Sequence, residues 1–297
     1  MGGVSETSSY ANITLQLPDK PPMRAHFSQE KWTIRLFIGD KSVTRKAWSE
    51  HLSHETMYID SMSLNILYLS PSLRRGFLDE ILSSSSPKYA KILKDYGHIL
   101  TQRNKLLGAI KDGRSREDEL AYWDDQIIDL ASKIYETRSE CLAYIQEYGN
   151  HLSDTLKQKY QLSFLYESKL SLPEDIGNQM RSYFEQNRNK EILLCRTLRW
   201  PHLDDWSIQV MWENEPIAST NYLSRGENKM IFLALVKILS NFIESKTSKP
   251  ILYLLDDVFA ELDDEKRDVI WDLIQDHSAI LSSQNPHDGW ETVELNN

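Results

Sequence analysis

Two aspartates, Asp256 and Asp257, follow directly on the apolar run Leu252-Tyr253-Leu254-Leu255. A short continuous run of this kind predicts a fully buried parallel strand, which delivers its last residues to the sheet end where ligands of open α/β folds bind. An acid at that end can hold Mg²⁺ bridging the phosphates of a nucleotide, because the ion takes oxygen ligands in octahedral geometry. Asp256 has the position for that task. The next carboxylate, Asp257, is placed to orient or deprotonate an attacking water as a general base. An acidic pair can equally end a strand and cap the segment after it, so the pair alone leaves both readings open.

Upstream, Leu223-Ser224-Arg225-Gly226-Glu227 opens an apolar helix through Met230, Leu233, Leu235 and Ile238. Ser224 is a good N-cap, Gly226 lets a phosphate approach the backbone closely, and free amides at a helix N-terminus attract anions. Downstream of the acidic pair comes Ala260-Glu261-Leu262-Asp263. The three elements, in this order, resemble the signature loop, Walker B strand and D-loop of ABC-type ATPases. The phosphate-gripping Walker A loop requires glycines and a terminal Gly-Lys-Ser/Thr, so that backbone amides and one lysine surround the phosphates. No Gly-Lys dipeptide occurs in the 297 residues.

The elements that must position these residues fall into three stretches. Residues 1–86 contain alternating runs such as Asn12-Ile13-Thr14-Leu15-Gln16-Leu17, and Trp32 to Ile38, punctuated by Pro18-Asp19, Pro21-Pro22 and Gly39-Asp40. This pattern predicts an antiparallel β meander. Residues 87–190 carry helical periodicity, and Leu120, Trp123, Ile127, Leu130, Ile134 and Cys141 fall on heptad core positions of one helix. Residues 191–297 return to strands, with Ser207 to Trp212 and Ile251 to Leu255 on either side of the Ser224 helix. The expected fold class is α/β: an ABC-type ATPase lobe with a mixed sheet and an N-terminal antiparallel portion, interrupted by an inserted α-helical, coiled-coil-like subdomain.

A chain of 297 residues with 40% hydrophobic and 26% charged residues has the balance of a globular protein built as two lobes. No apolar run approaches the roughly 20 residues that cross a bilayer, and the N-terminus lacks a basic-then-apolar leader, so a cytoplasmic protein without membrane partners is expected. Cys141 and Cys195 stand apart in apolar surroundings and are expected as reduced thiols. A net charge of −10 argues against non-specific coating of nucleic acid, which is driven by release of counterions from phosphates. It leaves room for a local basic groove, for which Arg74 with Arg75, Arg103 with Lys105, and Lys111, Arg114 and Arg116 are candidates; solvated helix faces have the same composition.

The similarity extends beyond the ATPase motifs. Ser70-Pro71-Ser72-Leu73-Arg74-Arg75-Gly76-Phe77-Leu78-Asp79, Tyr96 with Gln102-Arg103-Asn104-Lys105-Leu106-Leu107, Trp123-Asp124-Asp125-Gln126 and Pro201-His202-Leu203-Asp204-Asp205 each resemble a segment of the RecF family, SMC-related recombination-repair ATPases of bacteria. The resemblance runs from roughly Thr14 to Ser283. Trp200 stands where the family has glycine, Leu203 where it has arginine, and Glu227 where it has glutamine.

The resemblance implies a DNA repair, recombination and replication protein in which two subunits sandwich ATP and Mg²⁺. Ser224, Arg225 and Gly226 would approach the γ-phosphate in trans, Asp256 would hold the metal, Asp257 would act on water and Asp263 would couple the two sites. It further implies an ATP-dependent homodimer, duplex DNA and single-strand/double-strand junctions as the target, with Arg74, Arg75, Arg103 and Lys105 as DNA contacts, and RecR- and RecO-type mediators as partners. In that family the P-loop lies upstream of the portion that Ala11 to Leu17 matches. The chain is therefore expected to begin after it, to hold ATP poorly by itself and to leave apolar surface of its ATPase lobe uncovered. The alternative is a non-hydrolysing DNA- or protein-interaction module derived from such an ATPase.

Overall fold

The computed structural model describes residues 10–15, 21–28, 33–44, 47, 51–52, 54–149, 161–168, 175–213, 215–256, 258 and 276–282. The chain divides into two compact units, Met1–His54 and Glu55–Asn297. In the first unit, β1 (Tyr10–Leu15), β2 (Met23–Ser28), β3 (Thr33–Ile38) and β4 (Lys41–Val43) form a four-stranded sheet in chain order, every pair antiparallel. This is the meander that the alternating runs predict. Its last turn is Gly39-Asp40, with Ile38 opposite Lys41. Gly39 sits at φ +57°, the left-handed region that a two-residue hairpin turn demands. Arg24 ties the turn down, donating to the Asp40 carboxylate at 2.9 Å and the Gly39 carbonyl at 2.6 Å.

The second unit holds strands β5 (Glu55–Ile59), β6 (Leu162–Glu167), β7 (Asp205–Trp212), β8 (Glu215–Ala218), β9 (Ile251–Asp256) and β10 (Ser278–Ser282). Its helices are α1 (Pro71–Ser85), α2 (Pro87–Lys111), α3 (Leu120–Tyr148), α4 (Ile176–Leu194), the single turn α5 (Ser219–Tyr222) and α6 (Arg225–Thr247). β5, β9 and β10 make a parallel sheet with β9 in the middle, whereas β6, β7 and β8 make an antiparallel one. The middle of helix α6, Met230 to Val236, is apolar and buried on every side, so it is a core helix rather than a surface one. It packs against α1, α3 and β5.

β9 is the parallel strand predicted from Leu252 to Leu255, with one correction. Its burial alternates: Ile251, Tyr253 and Leu255 are buried, while Leu252 and Leu254 are half-buried. Tyr253 donates to Ser240 Oγ at 2.8 Å, which fixes α6 against the buried face.

Helices α2 and α3 form a hairpin that α4 packs upon. The buried side of α3 includes Leu120, Ile127, Ile134 and Cys141 from the expected heptad stripe, yet Trp123 and Leu130 are only half-buried. Asp124, Ile128, Ala131, Tyr135 and Arg138 are buried instead. The buried face is wider than a two-helix seam because α1, α4 and α6 also press on α3. Both cysteines are free, Cys141 buried and Cys195 half-buried; burial pushes the Cys141 thiol up to about 12. Among the described residues, no helix is long and apolar enough to cross a membrane.

Candidate functional site

Asp256 is the last residue of β9 and is exposed at the carboxyl end of the parallel sheet. Ser282, its register partner on β10, donates its hydroxyl to Asp256 Oδ1 at 2.5 Å. From the other side, Tyr58 on β5 donates to Oδ2 at 3.1 Å. Tyr58 pairs with Leu254, so its phenol reaches along the sheet face, two residues down the strand. The carboxylate thus has one hydroxyl on each oxygen. The Asp256 carboxylate and the Ser282 alkyl hydroxyl are the donor type that Mg²⁺ takes, and they fit a hard cation. Asp257 and Asp263 lie outside the described residues.

Ser224 is the N-cap of α6, as the sequence predicts, and forms a complete capping box. Its Oγ accepts from the Glu227 amide at 3.3 Å, and Glu227 Oε2 accepts from the Ser224 amide at 2.9 Å and from its hydroxyl at 2.7 Å. The acid in place of glutamine therefore folds back onto the helix start, where the macrodipole favours a negative charge. Arg225 is exposed and Gly226 half-buried.

The two halves of the expected site stand apart in the chain's own framework. Ile251 donates its amide to Glu244 Oε1 at 2.7 Å and Tyr253 bonds Ser240, so β9 runs back along α6. Asp256 is then level with about the Leu233 turn, and Ser224 lies on the order of 15 Å further along the helix axis.

Asn228 was not singled out by sequence reasoning. It is buried, its side-chain amide lies 3.0 Å from the Tyr68 hydroxyl and within 3.3 Å of the Ser219, Leu223 and Ser224 carbonyls, and its Oδ1 accepts from Ser219 Oγ at 2.7 Å. It clamps the start of α6 to the preceding turn. The signal was an amide side chain at the head of an otherwise apolar helix, since buried polar groups need partners.

The candidate basic residues are placed in three different ways. Arg103 is 0% exposed and donates to Asp124 at 2.8 Å, Thr197 at 2.8 Å and Glu191 at 2.7 Å, with Phe184 stacked on its guanidinium at 4.1 Å. Arg74 makes a fork with Asp205 at 2.9 and 2.5 Å and also donates to the Leu69 carbonyl. Arg75 donates to the Asp204 carbonyl at 2.6 Å. Lys105 is exposed, as are Lys111, Arg114 and Arg116, the two arginines pairing with Asp112 and Asp118 at the surface. Arg74, Arg75 and Arg103 are committed inside the protein because each faces an acid or carbonyl from the 191–205 segment, a pairing that the linear sequence does not display.

Those pairings join the segments that carry the family resemblance. Asp79 receives the Arg138 guanidinium at 2.8 and 3.0 Å and the Tyr89 hydroxyl at 2.6 Å; Arg138 also donates to the Pro201 carbonyl at 3.0 Å. Tyr96 and His202 meet at 2.7 Å, and Asn104 accepts from the Thr197 amide at 2.8 Å. The segments 70–79 and 96–107 therefore meet the 197–205 stretch directly, and Asp124 of 123–126 is tied to it through Arg103. Burial, with the neighbouring arginines Arg75, Arg103 and Arg138 adding to it, pulls His202 down to about 4.

No family model matches the chain. The DNA replication and repair protein RecF of Heliobacterium modesticaldum is 33% identical over 216 residues, covering 71% of this chain and 57% of the relative. RecF of Halothermothrix orenii is 32% identical over 264 residues, covering 82% of this chain and 68% of the relative. The chain belongs to the RecF family. It spans 57% of the length of the first of these relatives and 68% of the second. A solved structure of the recombination mediator protein RecF-ATPrS in the RecFOR pathway superposes with a TM-score of 0.73 at 21% identity, covering 95% of this chain and 77% of that one. RecF-ATP in the same pathway gives 0.72 at 22% identity, with 91% and 72% covered. The mixed α/β architecture is thus the RecF fold.

Against that family, the Trp200 departure has a backbone consequence. Trp200 is at φ +100°, a conformation that glycine adopts freely and side chains rarely do. Trp200 is 2% exposed between Tyr183 and Phe184, edge-on to both, and its Nε1 has no hydrogen-bond partner among the described residues. Leu203, where the RecF pattern has arginine, is 51% exposed.

Proposed function

We propose that this chain works in DNA repair and recombination as a RecF-type protein, whose α6 start serves the nucleotide site of a second copy. The observation that carries the reading is Asp256, an exposed carboxylate at the carboxyl end of the central parallel strand with a hydroxyl on either side. ATP with Mg²⁺, when bound, supplies the phosphoanhydride whose hydrolysis the dimer couples to DNA engagement. On this chain Asp256 holds the cation, Asp257 orients water and Asp263 links the two sites. Ser224, Arg225 and Gly226 offer amides and a cation to the neighbour's γ-phosphate. The offset of about 15 Å between Ser224 and Asp256 along α6 supports their serving different nucleotides.

The assembly this reading implies is an ATP-dependent homodimer on duplex DNA near single-strand junctions, acting with RecR- and RecO-type mediators to load recombinase at gaps. The family's name as DNA replication and repair protein supports the DNA target. For the DNA face we place Lys88, Lys91, Lys94 and Lys105, exposed along one side of α2 within an arc of about 120°. None of the four has an ion-pair partner among the described residues. Helices α2 to α4 would form the lobe that reaches over DNA.

A second reading, a non-hydrolysing interaction module, is favoured by Glu227, which occupies both the amide and the hydroxyl of Ser224. Titration of the chain with a fluorescent ATP analogue and Mg²⁺, repeated with Asp256→Asn, separates the two. Saturable binding that the substitution abolishes supports the ATPase-type site. Absence of nucleotide binding alongside intact binding of gapped duplex supports the module.

A further inference from the structure

The Tyr58 hydroxyl occupies one of the two oxygens through which Asp256 can take a cation, and it differs from Ser282 in every respect that matters for letting go. Ser282 sits directly across the β10–β9 register, so its short side chain is held beside the carboxylate by the strand pairing. An alkyl hydroxyl there has lone pairs to turn toward a cation while remaining in place. Tyr58 is anchored two residues away, reaches Asp256 only with the tip of its ring, and is 54% exposed. A neutral phenol is a poor ligand for Mg²⁺, and its O–H is directed at Oδ2, one of the two oxygens through which the acid can take the ion. Rotation about χ1 of a ring this exposed moves it into solvent with little loss of packing.

We propose that Tyr58 is a gate on Asp256: its hydroxyl caps the carboxylate when no cation is present and must swing away for the cation to bind, whereas Ser282 stays and positions the acid. This rests on the reading of Asp256 as the cation-holding residue. The gate sets the affinity of the site through competition, so removing it strengthens cation binding. Loss of a merely structural contact would do the opposite or nothing.

The test is titration of the full 297-residue chain with Mn²⁺, followed by the electron paramagnetic resonance signal of the free ion, in four proteins: unsubstituted, Tyr58→Phe, Ser282→Ala and Asp256→Asn. Tyr58→Phe keeps the ring and removes only the hydroxyl. The expected result is binding about two- to tenfold tighter in Tyr58→Phe, the range for one lost competing hydrogen bond, weaker binding in Ser282→Ala and a lost site in Asp256→Asn. Unchanged or weakened binding in Tyr58→Phe, with the site still lost in Asp256→Asn, overturns the gate and leaves the role of Asp256 standing. Binding indifferent to Asp256→Asn, or no binding in any of the four, overturns the role of Asp256 itself.

Discussion

Arg103 on α2 and Glu191 on α4 meet at 2.7 Å with both side chains wholly withdrawn from solvent. Asp124 takes the other side of the guanidinium at 2.8 Å, Arg188 on the second Asp124 oxygen at 2.8 Å completes the charge balance, and the other Glu191 oxygen accepts from the Leu198 amide at 3.0 Å. The knot therefore sets the turn that leads into the 200–205 loop. Arg103→Leu leaves the buried Glu191 without its cation and Asp124 with Arg188 alone, and is expected to destabilise the chain by about 3–5 kcal/mol. Urea denaturation measures this. Gapped-duplex affinity of the folded fraction is expected to stay at the unsubstituted value, since the guanidinium meets protein groups on every side.

Trp200 combines two opposing terms. Replacing it by glycine relieves a backbone conformation that costs a side chain on the order of 1 kcal/mol, and removes a buried indole worth about 3–5 kcal/mol. The indole dominates, so Trp200→Gly is expected to lower stability by about 2–4 kcal/mol, read as a fall in the thermal midpoint. A rise in the midpoint would show that strain outweighs packing at this position.

His202 is held neutral in the folded chain, with its pKa near 4 against the ordinary 6.5. Between those values the unfolded chain binds the extra proton and the folded chain does not, so stability is full above about pH 6.5 and declines as pH falls toward 4. At pH 5 the expected loss is about 2 kcal/mol relative to pH 7. Denaturation of the chain and of His202→Gln at both pH values gives the comparison; the substituted protein should lose less by about that amount.

The exposed lysines of α2 are expected to act through phosphates. The triple change Lys88→Ala, Lys91→Ala and Lys94→Ala should weaken binding to gapped duplex and flatten the dependence of log K on log salt by about 0.9 for each lysine that neutralises a phosphate. Fluorescence anisotropy over a salt series provides both numbers. An unchanged slope would place the DNA elsewhere.

Much of the architecture was legible in local pattern. The β9 strand and its terminal acid, the capped start of α6, the N-terminal meander and the helical middle all rest on periodicity and capping, which act over a few residues and need no knowledge of distant neighbours. The RecF resemblance added roles to those positions, and relatives at 32–33% identity place the chain in that family.

What only the tertiary structure decided was the company each of these residues keeps. The arginine candidates looked alike in sequence, and partners 94 and 131 residues away turned Arg103 and Arg74 into internal ties. Asp256 acquired Tyr58 from 198 residues upstream, and Trp200 has a glycine-like backbone in a loop whose next residues are held by Tyr96 of α2 and Arg138 of α3. A chain's periodicity records which face of an element is apolar, whereas hydrogen-bond and ion-pair partners are chosen by packing between elements far apart in sequence, and that choice leaves no trace in local spacing.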